Sequence, residues 1–161
     1  MSLKSKEVTA YMEFAFSIAK MSHAIREKVG CVIAKENGVI IGYGYNGMPT
    51  NMDNSCEDKV YENTSLHTID AYPFEDNIGR YYLKTKKEVL HAESNAISKI
   101  AKSNMSCDGA TAIITLQPCL DCAKLLLQAG IKEVIYANHY RDSSGVDFLV
   151  NNSVKCDVFV N

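Results

Sequence analysis

Apolar residues recur at helical spacing near the start of the chain, at Tyr11, Phe14, Ile18 and Met21, and Met12, Ala15 and Ala19 widen the stripe. This pattern predicts an amphipathic helix over residues 8–21. The period then shortens. "VGCVIAK" (29–35) is a β-branched run, an Asn37-Gly38 pair follows, and "VIIGYGY" (39–45) comes next. Asn-Gly between two such runs predicts a β-hairpin. From 46 to about 87 the periodicity fades. Pro49 and Pro73 fall in that stretch, among many Asn, Asp, Glu and Tyr. It reads as one long loop, and a loop of this length in a compact domain usually serves function or moves.

Regular patterning resumes with "LHAESNAISKIAKS" (90–103), a helix of about three turns. "ATAIITL" (110–116) reads as a buried strand. "CLDCAKLLLQAG" (119–130) reads as a helix, opened by Pro118 and stopped by Gly130. "KEVIYA" (132–137) is a strand, "SGVDFLVNN" (144–152) a short helix and "CDVFV" (156–160) a final strand. A hairpin followed by alternating helices and strands predicts an α/β layered domain around a mixed sheet. Crossovers through helices make the later strands parallel. No repeat, linker or low-complexity tract divides the 161 residues, so one domain over 1–161 is expected.

Composition narrows the function classes. The net charge of −2 gives no basic bias, which favours a small ligand over a nucleic-acid polymer. The polar start of the chain, with Glu13 interrupting its apolar part, lacks the form of a signal peptide. No apolar run is long enough to span a bilayer. A cytoplasmic location without membrane partners is therefore expected. In that compartment the six Cys are better read as metal ligands, catalytic groups or buried thiols than as a disulfide framework.

Cys119 and Cys122 place two sulfurs at i and i+3, on one face of a helix start. The helix dipole and free N–H groups there favour thiolate. Alone, such a pair can be a zinc half-site, a redox dithiol or two core thiols. His91 breaks the tie. It opens the preceding helix, one strand earlier, and successive helix starts in a β-α-β-α arrangement face the same sheet edge. One imidazole and two thiolates leave the fourth position open, which is the catalytic zinc pattern. Glu93 beside them need not bind metal and can carry protons. Taken alone, His91 and Glu93 read as a helix opening with a dipole-friendly acid. Together with Pro118-Cys119-Leu120-Asp121-Cys122 they read as a site.

His91-Ala92-Glu93 followed by Pro118-Cys119-Leu120-Asp121-Cys122 resembles the zinc-dependent cytidine/deoxycytidylate deaminase superfamily, for which this spacing is an established signature. "GYGYNGMP" (42–49), "HAESNAI" and "CAKLLLQAGIKEVIY" are similar to its deoxycytidylate (dCMP) branch, bacteriophage members included. The similarity spans roughly residues 8–140 and is weakest over 51–87. It implies a three-layer α/β/α sandwich around a mixed five-stranded sheet. It also implies one zinc ion on His91, Cys119 and Cys122. Water would attack C4 of dCMP, and Glu93 would protonate N3 and then help expel ammonia, giving dUMP for thymidylate synthesis. Relatives are commonly hexamers, activated by dCTP and inhibited by dTTP, with Mg2+ accompanying these effectors.

The resemblance also suggests how a nucleotide is held. Arg26 and Arg141 can reach the rim and supply planar donors for a phosphate. Asn46 is assigned to the deoxyribose 3′-hydroxyl, Tyr136 to the base or sugar, and Gln117 to the reacting amine through its backbone. Ser22 and Ala92 complete the substrate set. Gly42, Tyr43, Gly44, Lys59, His67, Arg80 and Tyr82 are the effector-site candidates. Cys56 and His67 suggest the second, structural zinc of some phage relatives. Two donors are too few, however, and "SHAIREKVG" (22–30) lacks a Cys, so one ion is expected. Cys31, Cys107 and Cys156 read as structural thiols, and His23 and His139 have no assigned role. Two readings compete with dCMP deamination: deamination of another cytosine nucleoside, nucleotide or tRNA adenosine, and a non-catalytic zinc-stabilised binding domain. Retention of Glu93 opposes the last.

Overall fold

The computed structural model describes residues 3–62 and 70–160. In chain order its elements are α1 (Ser5–Ala19), β1 (Gly30–Ala34), β2 (Ile40–Tyr45), β3 (Glu57–Tyr61), β4 (Phe74–Glu75) and β5 (Arg80–Thr85). Then come α2 (Ala92–Ala101), β6 (Thr111–Leu116), α3 (Leu120–Gln128), β7 (Glu133–Asn138), α4 (Ser144–Asn151) and β8 (Lys155–Val158). Five strands form a mixed sheet in the order β2-β1-β6-β7-β8. β1 runs antiparallel to β2 and β6, while β6, β7 and β8 are parallel. Among the described residues no helix is long and apolar enough to cross a membrane.

Strand alternation divides the core into two layers. Cys31 and Ile33, Ala112 and Ile114, and Val134 and Tyr136 face α2, α3 and α4. Val32, Ala34, Ile113 and Ile135 face α1. Every residue of β1 is buried, as expected for a strand covered on both faces. The architecture is thus the α/β/α sandwich around a five-stranded sheet. The buried stripe of α1 differs from the expected one. Met12, Ala15, Ile18 and Ala19 are buried, whereas Phe14 and Met21 stay 39% and 55% exposed. Helix and sheet approach most closely at Ala15, where a Cβ on Gly30 would lie 2.0 Å from the Ala15 carbonyl oxygen, and Met12 and Ile18 fill the space one turn to either side.

The stretch 46–87 is not a plain loop. β3, β5 and β4 form a separate three-stranded antiparallel sheet. Rings hold it together: Tyr61 and Phe74 lie 5.6 and 5.5 Å from Tyr81, Tyr72 lies 5.5 Å from Tyr82, and Lys59 sits over Tyr81. Asp76 accepts from Lys59, the Tyr61 hydroxyl and the backbone N–H of Ile78 and Gly79. Lys59 first, then those donors, hold its carboxyl down to about 2. The expected silence of this stretch arose because its strands are half-exposed and aromatic rather than alternately apolar and polar.

Gly44 sets the height of α2 above the sheet. A Cβ there would lie 2.3 Å from the Ala92 carbonyl oxygen and 2.5 Å from the Ala96 nitrogen. Gly44→Ala is expected to lower the melting temperature by roughly 5–10 °C, because backbone atoms cannot yield as side chains do. Gly47→Ala, with only Tyr45 at 3.9 Å, is the matched control and should stay near wild type in thermal unfolding. Equal melting temperatures for the two variants would contradict this packing.

Candidate active site

Two helix starts meet at one edge of the large sheet. His91 is the N-cap of α2 and Cys119 the N-cap of α3, both with extended backbone (ψ 160 and 168°). An N-cap side chain normally bonds its own first-turn N–H groups. Neither residue does so. Their side chains turn to each other instead: the Cys119 and Cys122 sulfurs lie 3.5 and 3.4 Å from His91 Nδ1. One donor atom from each of the three residues lies within 4.8 Å of the others. It is the one such cluster of His, Cys, Asp and Glu among the described residues. Two soft sulfurs and an imidazole nitrogen on a rigid frame suit zinc, and the free N–H dipoles of both helices favour thiolate there.

The frame is built from backbone contacts. Leu90 and Gly47 exchange hydrogen bonds of 2.9 and 3.0 Å, which fixes the residue before His91. Asn95 Nδ2 donates to the Tyr45 carbonyl at 2.8 Å and ties α2 to the end of β2. α4 presses on the other turn: a Cβ on Gly145 would meet the Pro118 carbonyl oxygen at 2.2 Å. Without metal, Cys119 is held down to about 4 by the Cys122 thiol, then by His91. Cys119 in turn raises His91 and, together with burial, raises Cys122. Metal binding competes with protons at all three donors, because zinc takes neutral imidazole and thiolate.

Glu93 is 4% exposed, and burial raises its carboxyl above the usual range. It lines a cavity of about 340 Å³ that also contains His91, Ala92 and Cys119. Val29, Val89 and Leu116 give this cavity apolar walls. A pocket of this size suits a small ligand. Its rim carries Arg26 and Arg141. Arg141 lies 5.7 Å from the Tyr140 ring centroid.

The remaining expected substrate residues divide. Asn46 and Gln117 line the cavity. The Asn46 amide is also structural: Oδ1 accepts from Val29 N at 2.8 Å and Nδ2 donates to the Glu27 carbonyl at 2.8 Å. Gln117 Oε1 accepts from Tyr140 N at 3.4 Å and lies 3.3 Å from His139 Nδ1, which puts His139 in the site. Ser22 does not line the cavity. Its hydroxyl donates to the Asn46 carbonyl at 2.7 Å and accepts from Ala24 N, so it braces the rim from behind. Tyr136 does not line the cavity either: strand alternation turns its ring toward the core beneath α2, α3 and α4, where it meets the cavity-lining His139 ring edge-on at 5.6 Å.

Sequence reasoning missed Glu57 and Thr85, which line the cavity from the smaller sheet. The expected effector residues are spread over two sheets. Gly42 and Gly44 are packed under α2, and Tyr43 touches Phe14 and Lys99. Lys59 and Tyr82 are on the smaller sheet. Arg80 is there too, by a second hollow with Tyr72 and Phe74. His67 lies outside the described residues. Cys56 is 1% exposed and packs with Ala24 and Val89.

The model for the cytidine and deoxycytidylate deaminase zinc-binding region matches residues 5–138. Deoxycytidylate deaminase of phage T4 is 32% identical over 91% of this chain and 86% of its own length. The human deoxycytidylate deaminase is 37% identical over 83% of this chain and 66% of its own. The dCMP deaminase of cyanophage S-TIM5, solved with dCMP and dUMP, superposes with a TM-score of 0.78 at 35% identity, over 98% of this chain and 99% of that one. The matched region contains both donor-bearing turns and the buried carboxylate between them, and on this ground the chain belongs to the cytidine and deoxycytidylate deaminase family.

Proposed function

We propose that this protein hydrolyses the exocyclic amine of dCMP, releasing dUMP and ammonia. The observation that carries this reading is a buried Glu93 beside the His91, Cys119 and Cys122 cluster, in one cavity with Arg26 and Arg141 at its rim. The names and the bound nucleotides of the phage relatives support it. Zinc held by the three donors would supply the Lewis acidity that makes water nucleophilic near neutral pH.

The chain's own residues do the rest. Glu93, unable to spread its charge into solvent, takes the proton of the attacking water. It passes a proton to N3 of the base, then assists departure of the amine from C4. Val29, Val89 and Leu116 wall the ring and limit stray water. Asn46 faces the sugar. Gln117, with its backbone N–H committed to the Asn138 carbonyl at 2.8 Å, presents the end of β6 to the reacting amine. Arg26 and Arg141 hold the 5′-phosphate through planar donors.

The proposal extends to a homo-hexamer in the cytoplasm, of the host if phage-encoded, activated by dCTP and inhibited by dTTP, each with Mg2+. Ammonia release from dCMP, CMP, cytidine and an adenosine-containing RNA stem-loop tests the whole reading. The zinc-loaded protein is expected to prefer dCMP, with dCTP raising and dTTP lowering the rate. A faster reaction on RNA or cytidine would assign another substrate. A flat response to both effectors would remove the regulation. No release from any compound would leave a non-catalytic zinc domain.

A further inference from the structure

We infer that Glu57 and Thr85, facing each other across two strands of the smaller sheet, position Arg26 for the substrate's phosphate. This rests on the reading of Arg26 as a phosphate contact. The two residues are register partners, on β3 and β5. Directly opposed residues present their side chains on one face. Here that face meets the turn between α1 and β1. Glu57, 9% exposed, accepts from the backbone N–H of Ile25 at 3.0 Å and of Arg26 at 3.3 Å through one carboxylate oxygen. Thr85 Oγ1 accepts from Arg26 Nη1 at 3.1 Å. Backbone and guanidinium of the same residue are thus held by neighbouring side chains 31 and 59 residues away in sequence.

The grip has a fixed base. Ala24, Cys56 and Val89 are buried together, with Met48 packed against them, so the root of the smaller sheet is fastened to the turn. Arg26 is otherwise exposed. An exposed arginine loses much rotamer freedom on binding. A guanidinium already held at one N–H has lost part of it and still offers four donors to an anion. The smaller sheet therefore acts on substrate choice without touching the reacting ring. Glu57 and Thr85 are positioning residues, and Arg26 is the group they aim.

Kinetics with dCMP and deoxycytidine test this, with melting temperatures recorded for every variant. Thr85→Val keeps the shape and removes the acceptor. It is expected to raise KM for dCMP by about three- to tenfold with kcat nearly unchanged, since it removes a hydrogen bond to a charged group. The preference for dCMP over deoxycytidine should fall by the same factor, and Thr85→Ser should restore both. Glu57→Ala should shift the preference likewise, while Glu57→Gln, which keeps an oxygen for the two N–H groups, should stay near wild type. Arg26→Ala should lower the preference further, and adding Thr85→Val to it should change nothing more. Equal losses on both substrates in Thr85→Val, or full additivity with Arg26→Ala, would overturn the positioning role and leave the phosphate reading standing. An unchanged preference in Arg26→Ala would instead defeat the phosphate reading, and this proposal with it.

Discussion

Glu93→Gln is expected to lower dCMP turnover by about 10²–10⁴-fold, the usual span for a lost acid–base group. Zinc content and melting temperature should stay near wild type. The substitution keeps the side chain's size and one oxygen, and the residue is not among the three donors of the metal cluster. Nothing about packing around this 4% exposed position needs to change. What disappears is the ability to take a proton and return it. Burial raises the Glu93 carboxyl above the usual carboxylate range, which helps it hold the proton it delivers to N3. KM should change little, because the loss falls on the transition state rather than on binding. Wild-type kcat in a variant that holds zinc would contradict the proton-carrying role.

Cys119→Ala is expected to abolish turnover by a different route. Bound zinc should fall from about one ion per chain toward none, because two donors cannot complete a tetrahedral site. Cys119 is the better choice than Cys122 for this test. It is only half-buried, while Cys122 is 3% exposed and packed in the structure. The capping role of residue 119 is also carried by its backbone carbonyl, which accepts from Ala123 N at 2.9 Å and survives the substitution. Added zinc should raise the melting temperature of the wild-type protein and not of the variant, since a ligand stabilises only the state that binds it. Metal analysis together with thermal unfolding separates loss of the ion from loss of the fold. Equal zinc in variant and wild type would remove Cys119 from the donor set.

The sequence and the structure agree where periodicity and motif speak together. The hairpin at Asn37-Gly38, the alternation from residue 90 onward and the two helix starts that carry His91 and Cys119 were all legible, because each depends on local pattern. Less legible features depended on distant contacts. Tyr136 reads equally as a base or sugar contact and as a strand aromatic, and strand alternation places it in the core behind the cavity-lining His139. For Ser22 and Asn46, whether a polar side chain faces the ligand or also braces a backbone neighbour depends on the fold of the turn, and only Asn46 reaches the cavity. Glu57 had no local signal at all. It sits in a stretch whose half-exposed strands carry no clean alternation, and its partners are 31 and 32 residues away. The need for a small residue at Ala15 was hidden for the same kind of reason, since it follows from the closeness of Gly30 rather than from α1 itself.

Turnover of dCMP by the zinc-loaded protein in ¹⁸O-water, with mass analysis of the nucleotide product, tests the central claim most directly. The account predicts dUMP carrying one solvent oxygen at C4, with ammonia formed in equal amount. Unchanged dCMP under these conditions, or dUMP without the label, would contradict hydrolytic deamination at this site.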